Sequence, residues 1–335
     1  MTGTMTLLES RYRTALRLLP AYYRREREEE MVETYLWDVD QDTQDQSRPT
    51  LGEVASIAAL AVRTRLGTAA SPRRYALFGA SVRQFAVFAL LLQAASALVD
   101  RVLELTWGST HGSAQWDLFL TRFNGRGPGN SVPVAVLEWT LPLLWTVAYF
   151  ALLRDRRRLA GAAATVAALP ELWVFVAPFV TDAYPPDLPY ATANGLLAWL
   201  TVLALYAAHH RDAPPAALPA GTPGLAYLAA CVVMGASQTV LPLATDSVWA
   251  PSTAVLLAGL AWLARRPRTP DTAFALAALG ALLLALRVTT LYHWYDVLPA
   301  VARFGSVGQA AGLFLLTAAL TAVAARSVRE RAGRP

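Results

Sequence analysis

Three ionisable residues stand inside long apolar runs of this 335-residue chain: Glu138, Glu171 and Arg287. Charge in such surroundings is costly, so each needs a partner or a path to water. Measured from the ends of their runs, all three fall in one layer, roughly 6–14 Å below one edge at 1.5 Å per residue. Two kinds of chemistry follow. The three could line a charged cavity that takes a polar or cationic ligand. They could equally form a buried ion pair, two acids sharing one arginine and pinning helices together. Asp182, Asp246 and Asp296 lie towards the same edge and extend the candidate set. Two of them close an echo, because Pro178 to Asp182 and Pro242 to Asp246 both read P-x-x-T-D. That echo fits a duplicated hairpin, as in transporter repeats, or simply the helix-end chemistry of threonine and aspartate.

Other chemistry finds no support. His209-His210 sits at the end of an apolar run, where a cation suits a helix C-terminus. His293 lies among Tyr292, Trp294, Tyr295 and Asp296, an aromatic group of the kind found at membrane edges. No H-x-x-x-H or H-E-x-x-H spacing occurs, so no metal site on a single helix is predicted. The single cysteine, Cys231, rules out a disulfide framework and a cysteine-based zinc module. Walker, G-x-S-x-G and G-x-G-x-x-G motifs are missing. ATP-driven transport would therefore need a separate ATPase subunit. No catalytic residue and no cofactor is expected.

The elements that must carry these residues are membrane-spanning helices. Hydrophobic residues make up 55% of the chain and charged residues 16%, against about 25% charged in a soluble domain. A spanning helix needs roughly 17–25 mostly apolar residues. Eight stretches qualify: 76–99, 132–153, 159–180, 191–208, 225–245, 248–264, 272–291 and 308–325. Only Asp246-Ser247 separates the fifth from the sixth, with Pro242 and Pro251 on either side, which suits a tight hairpin. All 29 basic residues are arginine, and 23 of them fall on one side of this arrangement against four on the other. The arginine-rich side is predicted to be cytoplasmic, with both termini on it. Net charge is +5. Its placement explains it as a topology signal, so no direct nucleic-acid binding is expected.

The longest connection joins the first two spans on the outer side. Trp116, Phe119, Leu120 and Phe123 recur there at helical spacing, which predicts a short helix lying in the membrane interface. The run from Asn124 to Asn130 turns the chain back.

Ahead of the spans, residues 6–67 predict three helices. Leu8, Tyr12, Ala15, Leu16 and Leu19 share one face, and Pro20 ends the first helix. The second carries Arg24, Arg25, Arg27 and Glu26, Glu28, Glu29, Glu30 as a mostly solvated face, with Met31, Tyr35 and Val39 as its apolar stripe. The third opens on Thr50 and Glu53, a capping box, buries Val54, Ile57, Ala58 and Ala61, and closes at Gly67. Domains are expected at 1–70, a cytoplasmic helical signalling or interaction domain, and 76–326, the transmembrane part. Residues 327–335 form a tail.

The run Tyr12, Leu16, Leu18-Leu19-Pro20, Tyr23-Arg24 and Glu29-Glu30-Met31 resembles the HAAS-type, or permease-prefix, domain found at the N-terminus of bacterial integral membrane proteins. The resemblance covers residues 8–67. It implies a signalling or interaction module, often encoded beside a PadR-like transcriptional regulator, and supplies no catalytic residues. The expected protein is an all-α, eight-span bundle of a bacterial inner membrane, working in signalling or partner interaction. Its partners would be the lipid bilayer and, through residues 8–67, a PadR-like regulator or another membrane subunit. A permease or transporter subunit for a polar or cationic ligand is the alternative.

Overall fold

The computed structural model describes residues 6–37, 48–67, 71–121, 123–124, 132–180, 188–210, 213–219, 221–240, 247–265 and 269–332. All regular structure among them is helical. The chain divides into two compact units, Met1–Val82 and Arg83–Pro335.

In the first unit, α1 (Leu7–Leu16), α2 (Ala21–Trp37) and α3 (Leu51–Arg65) pack around Tyr12, Leu16, Leu19, Val32, Ile57 and Ala61. Thr6 caps α1 by accepting from the Glu9 backbone at 3.3 Å. The capping box of α3 is complete. Thr50 accepts from Glu53 N–H at 3.2 Å, and Glu53 Oε2 accepts from Thr50 N–H at 2.7 Å. One detail differs from the sequence reading. Val32 is the buried residue of α2, with Met31 and Tyr35 half-buried beside it, while Val39 lies outside the described residues. On the solvated face of α2, Arg13 of α1 reaches across to Glu29 with two hydrogen bonds of 2.8 Å and also holds Glu9. That interaction keeps the exposed Glu29 carboxyl below its ordinary range.

The chain leaves α3 through a tight return. Gly67 has φ +83°, and a Cβ there would meet Ala76 Cα at 2.8 Å. At Gly79 a Cβ would stand 1.6 Å from the Leu66 carbonyl oxygen. Both positions require glycine, for conformation at Gly67 and for space at Gly79. This return includes the first turns of α4 (Arg73–Thr110) in the unit, past the expected boundary at residue 70.

The second unit continues α4 and adds α5 (Ser113–Thr121), α6 (Val132–Thr140), α7 (Leu144–Leu153), α8 (Arg157–Ala168), α9 (Trp173–Val180), α10 (Leu188–Ala208), α11 (Pro223–Val240), α12 (Trp249–Ala264), α13 (Pro270–Trp294) and α14 (Ala300–Ala332). α5 contains Trp116, Phe119 and Leu120, and Phe123 follows it. Leu141–Leu143 and Leu169–Leu172 are 3-10 turns that join α6 to α7 and α8 to α9. Each break holds a proline, Pro142 or Pro170. Proline lacks an N–H and its ring crowds the carbonyl four residues back, so the helix tightens or bends there.

Among the described residues two large apolar cores run through the unit, with a smaller one of Leu276, Ala277, Leu316 and Leu320 between α13 and α14. One joins α4, α7, α8 and α10, with Ala160, Ala163, Ala164 and Ala167 presenting a small-residue face of α8. The other joins α4 and α10 to α11–α14. Small residues let helices approach closely where lipid gives no hydrophobic drive. A Cβ at Gly259 would meet Leu316 at 2.6 Å, and one at Gly280 would meet Thr317 at 2.7 Å.

Among the described residues six helical stretches are long and apolar enough to cross a membrane: Arg73–Thr110, Val132–Leu153, Arg157–Val176, Leu188–Ala208, Pro270–Trp294 and Ala300–Arg329. Their apolar flanks remain outward, as at Leu203, Phe314 and Leu315, which suits solvation by lipid. The protein is an all-α membrane protein. The difference from eight falls on α11 and α12. The latter has 16 residues, about 24 Å at the α-helical rise, against a hydrocarbon core of about 30 Å. Residues 241–246, which include the end of the expected fifth span, lie outside the described residues.

Candidate functional site

The structure gives the three intramembrane charges three different settings. Glu138 lies exposed on α6. Its neighbour Trp139 is the engaged residue. Trp139 Nε1 donates to Glu104 Oε2 at 3.0 Å, and the Arg101 guanidinium lies 5.7 Å from the Trp139 ring while bridging Glu104 at 2.7 Å. Arg101, Glu104 and Trp139 thus tie the far end of α4 to α6. Phe123 meets Trp139 edge-on, which brings the aromatic residues after α5 to the same place.

Glu171 occupies the break between α8 and α9. Its Oε1 accepts from Asn194 Nδ2 of α10 at 3.2 Å. α10 comes close here because its next residue is Gly195. A Cβ at Gly195 would lie 2.9 Å from the Phe175 ring and 3.3 Å from the Glu171 carbonyl oxygen. The approach of the two helices is therefore built on a glycine, and the polar pair sits beside it.

Arg287 is wholly buried on α13. Its Nη2 donates to Gln309 Oε1 of α14. Gln309 Nε2 in turn donates to the Trp249 carbonyl at 2.9 Å and to Thr253 Oγ1 at 3.0 Å on α12. The guanidinium lies 5.8 Å from the Trp249 ring. Three helices meet at this node. Among the described residues no ion pair joins Arg287 to Glu138 or Glu171. The sequence reading of two acids sharing one arginine is replaced by an arginine–glutamine node and a separate glutamate–asparagine pair. Asp296 is exposed in the turn after α13. Asp182 and Asp246, and with them the ends of the P-x-x-T-D echo, lie outside the described residues.

At the opposite end of α8, Arg157 organises a connection. It donates to Asp155 Oδ1 at 2.7 Å, to the His210 carbonyl and to the Ala213 carbonyl at 2.7 Å. Asp155 takes φ +57° to make the turn between α7 and α8. His209, just past the end of α10, is buried and faces the Arg83 carbonyl at 3.4 Å. Burial pushes its imidazole down to about 4, so it is a neutral structural group rather than the helix-end cation read from the sequence.

Among the described residues no three His, Cys, Asp or Glu side chains gather in a way that could hold a metal ion. Asn194, Gln309 and Trp139 are the engaged residues that charge alone did not point to. Asn194 and Gln309 were open to detection as strong hydrogen-bonding side chains within otherwise apolar runs. No family model, no curated protein and no solved structure matches the chain.

Proposed function

We propose that this is an integral protein of a bacterial inner membrane that acts by binding a partner through its N-terminal helices. The observation that carries this reading is the separate packing of α1–α3 around Tyr12, Leu16, Leu19, Val32, Ile57 and Ala61. These helices close their own core yet leave Trp37 and Leu51 exposed near the facing ends of α2 and α3. The resemblance of residues 8–67 to a permease-prefix domain supports the same reading, and so does the arginine asymmetry, which assigns these residues to the cytoplasm. The bundle is read as eight spans with both termini inside, α11 and α12 forming the short fifth and sixth. The partner is a PadR-like regulator or a second membrane subunit. Co-purification from native membranes tests this. The full chain should retain a specific partner that is lost on Trp37→Ala with Leu51→Ala. Equal recovery with and without residues 8–67 would overturn the reading.

A second reading, a permease subunit for a polar or cationic ligand, is favoured by the proline breaks at 141–143 and 169–172. Discontinuous spans are how many transporters form substrate and ion sites. Uptake of a radiolabelled cation panel by vesicles containing the chain separates it from the first.

A further inference from the structure

The 3-10 turn at Leu169–Leu172 interrupts the run from α8 to α9 at Pro170, and Glu171 is its charged residue. Its carboxylate meets one side-chain donor, Asn194 Nδ2, at 3.2 Å. Among the described residues no arginine or histidine forms an ion pair with it. A neutral amide orients a carboxylate but does not balance its charge. Arg287, a buried cation of the same unit, donates to Gln309. The negative charge at the break therefore calls for a small positive ion that arrives from outside the fold.

We infer that Glu171, oriented by Asn194 at the Pro170 break, is a binding site for a small monovalent cation, a proton or Na+. The carboxylate supplies the charge. Asn194 Nδ2 can donate to Oε1 in either state, because a carboxylic acid formed by adding a proton to Oε2 still accepts at Oε1. The amide thus holds the side chain in place while the ion comes and goes. Gly195 contributes by admitting the Glu171 carbonyl at 3.3 Å from the position a Cβ would take. The larger residues that would force α10 away from the break are excluded there. This site does not depend on the partner-binding reading and stands whether the chain signals or transports.

Dicyclohexylcarbodiimide tests it. The reagent adds to protonated carboxyl groups in apolar surroundings, and the modified peptide is found by mass spectrometry. In the full chain reconstituted into vesicles, Glu171 should be labelled, with labelling falling at least tenfold as pH rises through the titration of the site. Addition of Na+ at fixed pH, compared with an equal concentration of choline, separates the two ions. Protection by Na+ assigns a sodium site, and labelling that follows pH alone assigns a proton site. Asn194→Ala should move the pH midpoint while leaving Glu171 reactive. Because the wild-type chain carries the main measurement, a variant that fails to fold does not remove the test. Absence of label at Glu171 at every pH, or label insensitive to both pH and Na+, would overturn the inference.

Discussion

Arg287 donates to Gln309, and through Gln309 it is joined to the Trp249 carbonyl and Thr253. A glutamine can do this because its side chain has both an acceptor and donors. The acceptor receives a hydrogen bond from the guanidinium while the donors satisfy α12. Gln309→Leu removes both ends together and leaves a buried guanidinium N–H and a buried carbonyl without that partner. The expected loss is about 1–3 kcal/mol, since a buried hydrogen-bond partner is taken from a charged group and from a carbonyl. Thermal unfolding in detergent should show it. Gln309→Glu should be milder at the Arg287 end but still lose the donor to Trp249. If Gln309→Leu unfolds at the wild-type temperature, the node does not hold the three helices together.

Six of the eight expected spans coincide with helices long and apolar enough to cross a membrane, because lipid demands a continuous apolar helix and little else gives such runs. The charges of the bundle were legible one at a time but not as partners. Depth along the sequence placed Glu138, Glu171 and Arg287 in one layer. It said nothing about which direction each side chain faces around its helix. Glu138 turned out exposed, and Arg287 found an amide on α14. Pairing of this kind depends on helix rotation and neighbour order, which hydropathy does not encode. The soluble helices show the same limit at smaller scale. The capping box of α3 was readable because it is local, three residues apart. The Arg13–Glu29 bridge was not, because it joins positions 16 residues apart on two helices.

Pro170→Ala tests the break beneath Glu171. Restoring an N–H and relieving the ring clash should let α8 and α9 run on as one helix, removing a penalty of about 3 kcal/mol where the proline is not otherwise accommodated. The variant is expected to melt at a higher temperature. The Glu171–Asn194 hydrogen bond should weaken at the same time, because a continuous helix rotates Glu171 relative to α10. A variant both more stable and altered in carbodiimide labelling fits the geometry. A variant less stable than wild type would mean that the turn itself is required by its neighbours.

Gly79→Ala should damage the first unit more than its small size suggests. Its Cβ would sit 1.6 Å from the Leu66 carbonyl oxygen, which is backbone and cannot rotate away. The return between α3 and α4 has to shift, at a cost of about 1–3 kcal/mol by analogy with overpacked interiors. Increased protease cleavage between α3 and α4 in the full chain is the expected readout. Unchanged cleavage would show that the return has room to open.

Tyr35 links pH to the same unit. Its ring stacks on Tyr12 at 4.0 Å and its hydroxyl donates to Glu53 Oε2 at 3.2 Å. Burial, then the Glu53 charge, pushes its phenol up to about 12 from an ordinary 10.0. A raised phenol means that folding favours the neutral form. Its contribution is fully present below pH 10 and is lost as pH rises from about 10 towards 12. Glu53→Gln should bring the midpoint down without returning it to 10, because burial is the larger cause. Ring-carbon NMR of tyrosine-labelled protein measures this directly. A Tyr35 midpoint at 10 in the wild type would contradict the half-buried ring and its hydrogen-bonded hydroxyl.

The last prediction sets the orientation on which the partner-binding reading depends. The turn after α7 contains four arginines within five residues, Arg154 and Arg156 to Arg158. Arg157 is spent on the carbonyls of residues 210 and 213, so it carries a structural duty besides its charge. The others remain as a topology signal, and short arginine-rich loops stay on the cytoplasmic side during insertion. Replacing the native Cys231 by serine and placing single cysteines at residue 155 and at residue 114 gives one reporter at each end of the bundle. In intact cells an impermeant maleimide should modify the cysteine at 114 and spare the one at 155, and breaking the cells should expose both. The position 155 substitution also removes the left-handed aspartate of the turn, so Arg156→Cys serves as its control. Labelling of 155 or 156 from outside would invert the bundle. It would place α1–α3 on the outer side and remove a cytoplasmic regulator as their partner.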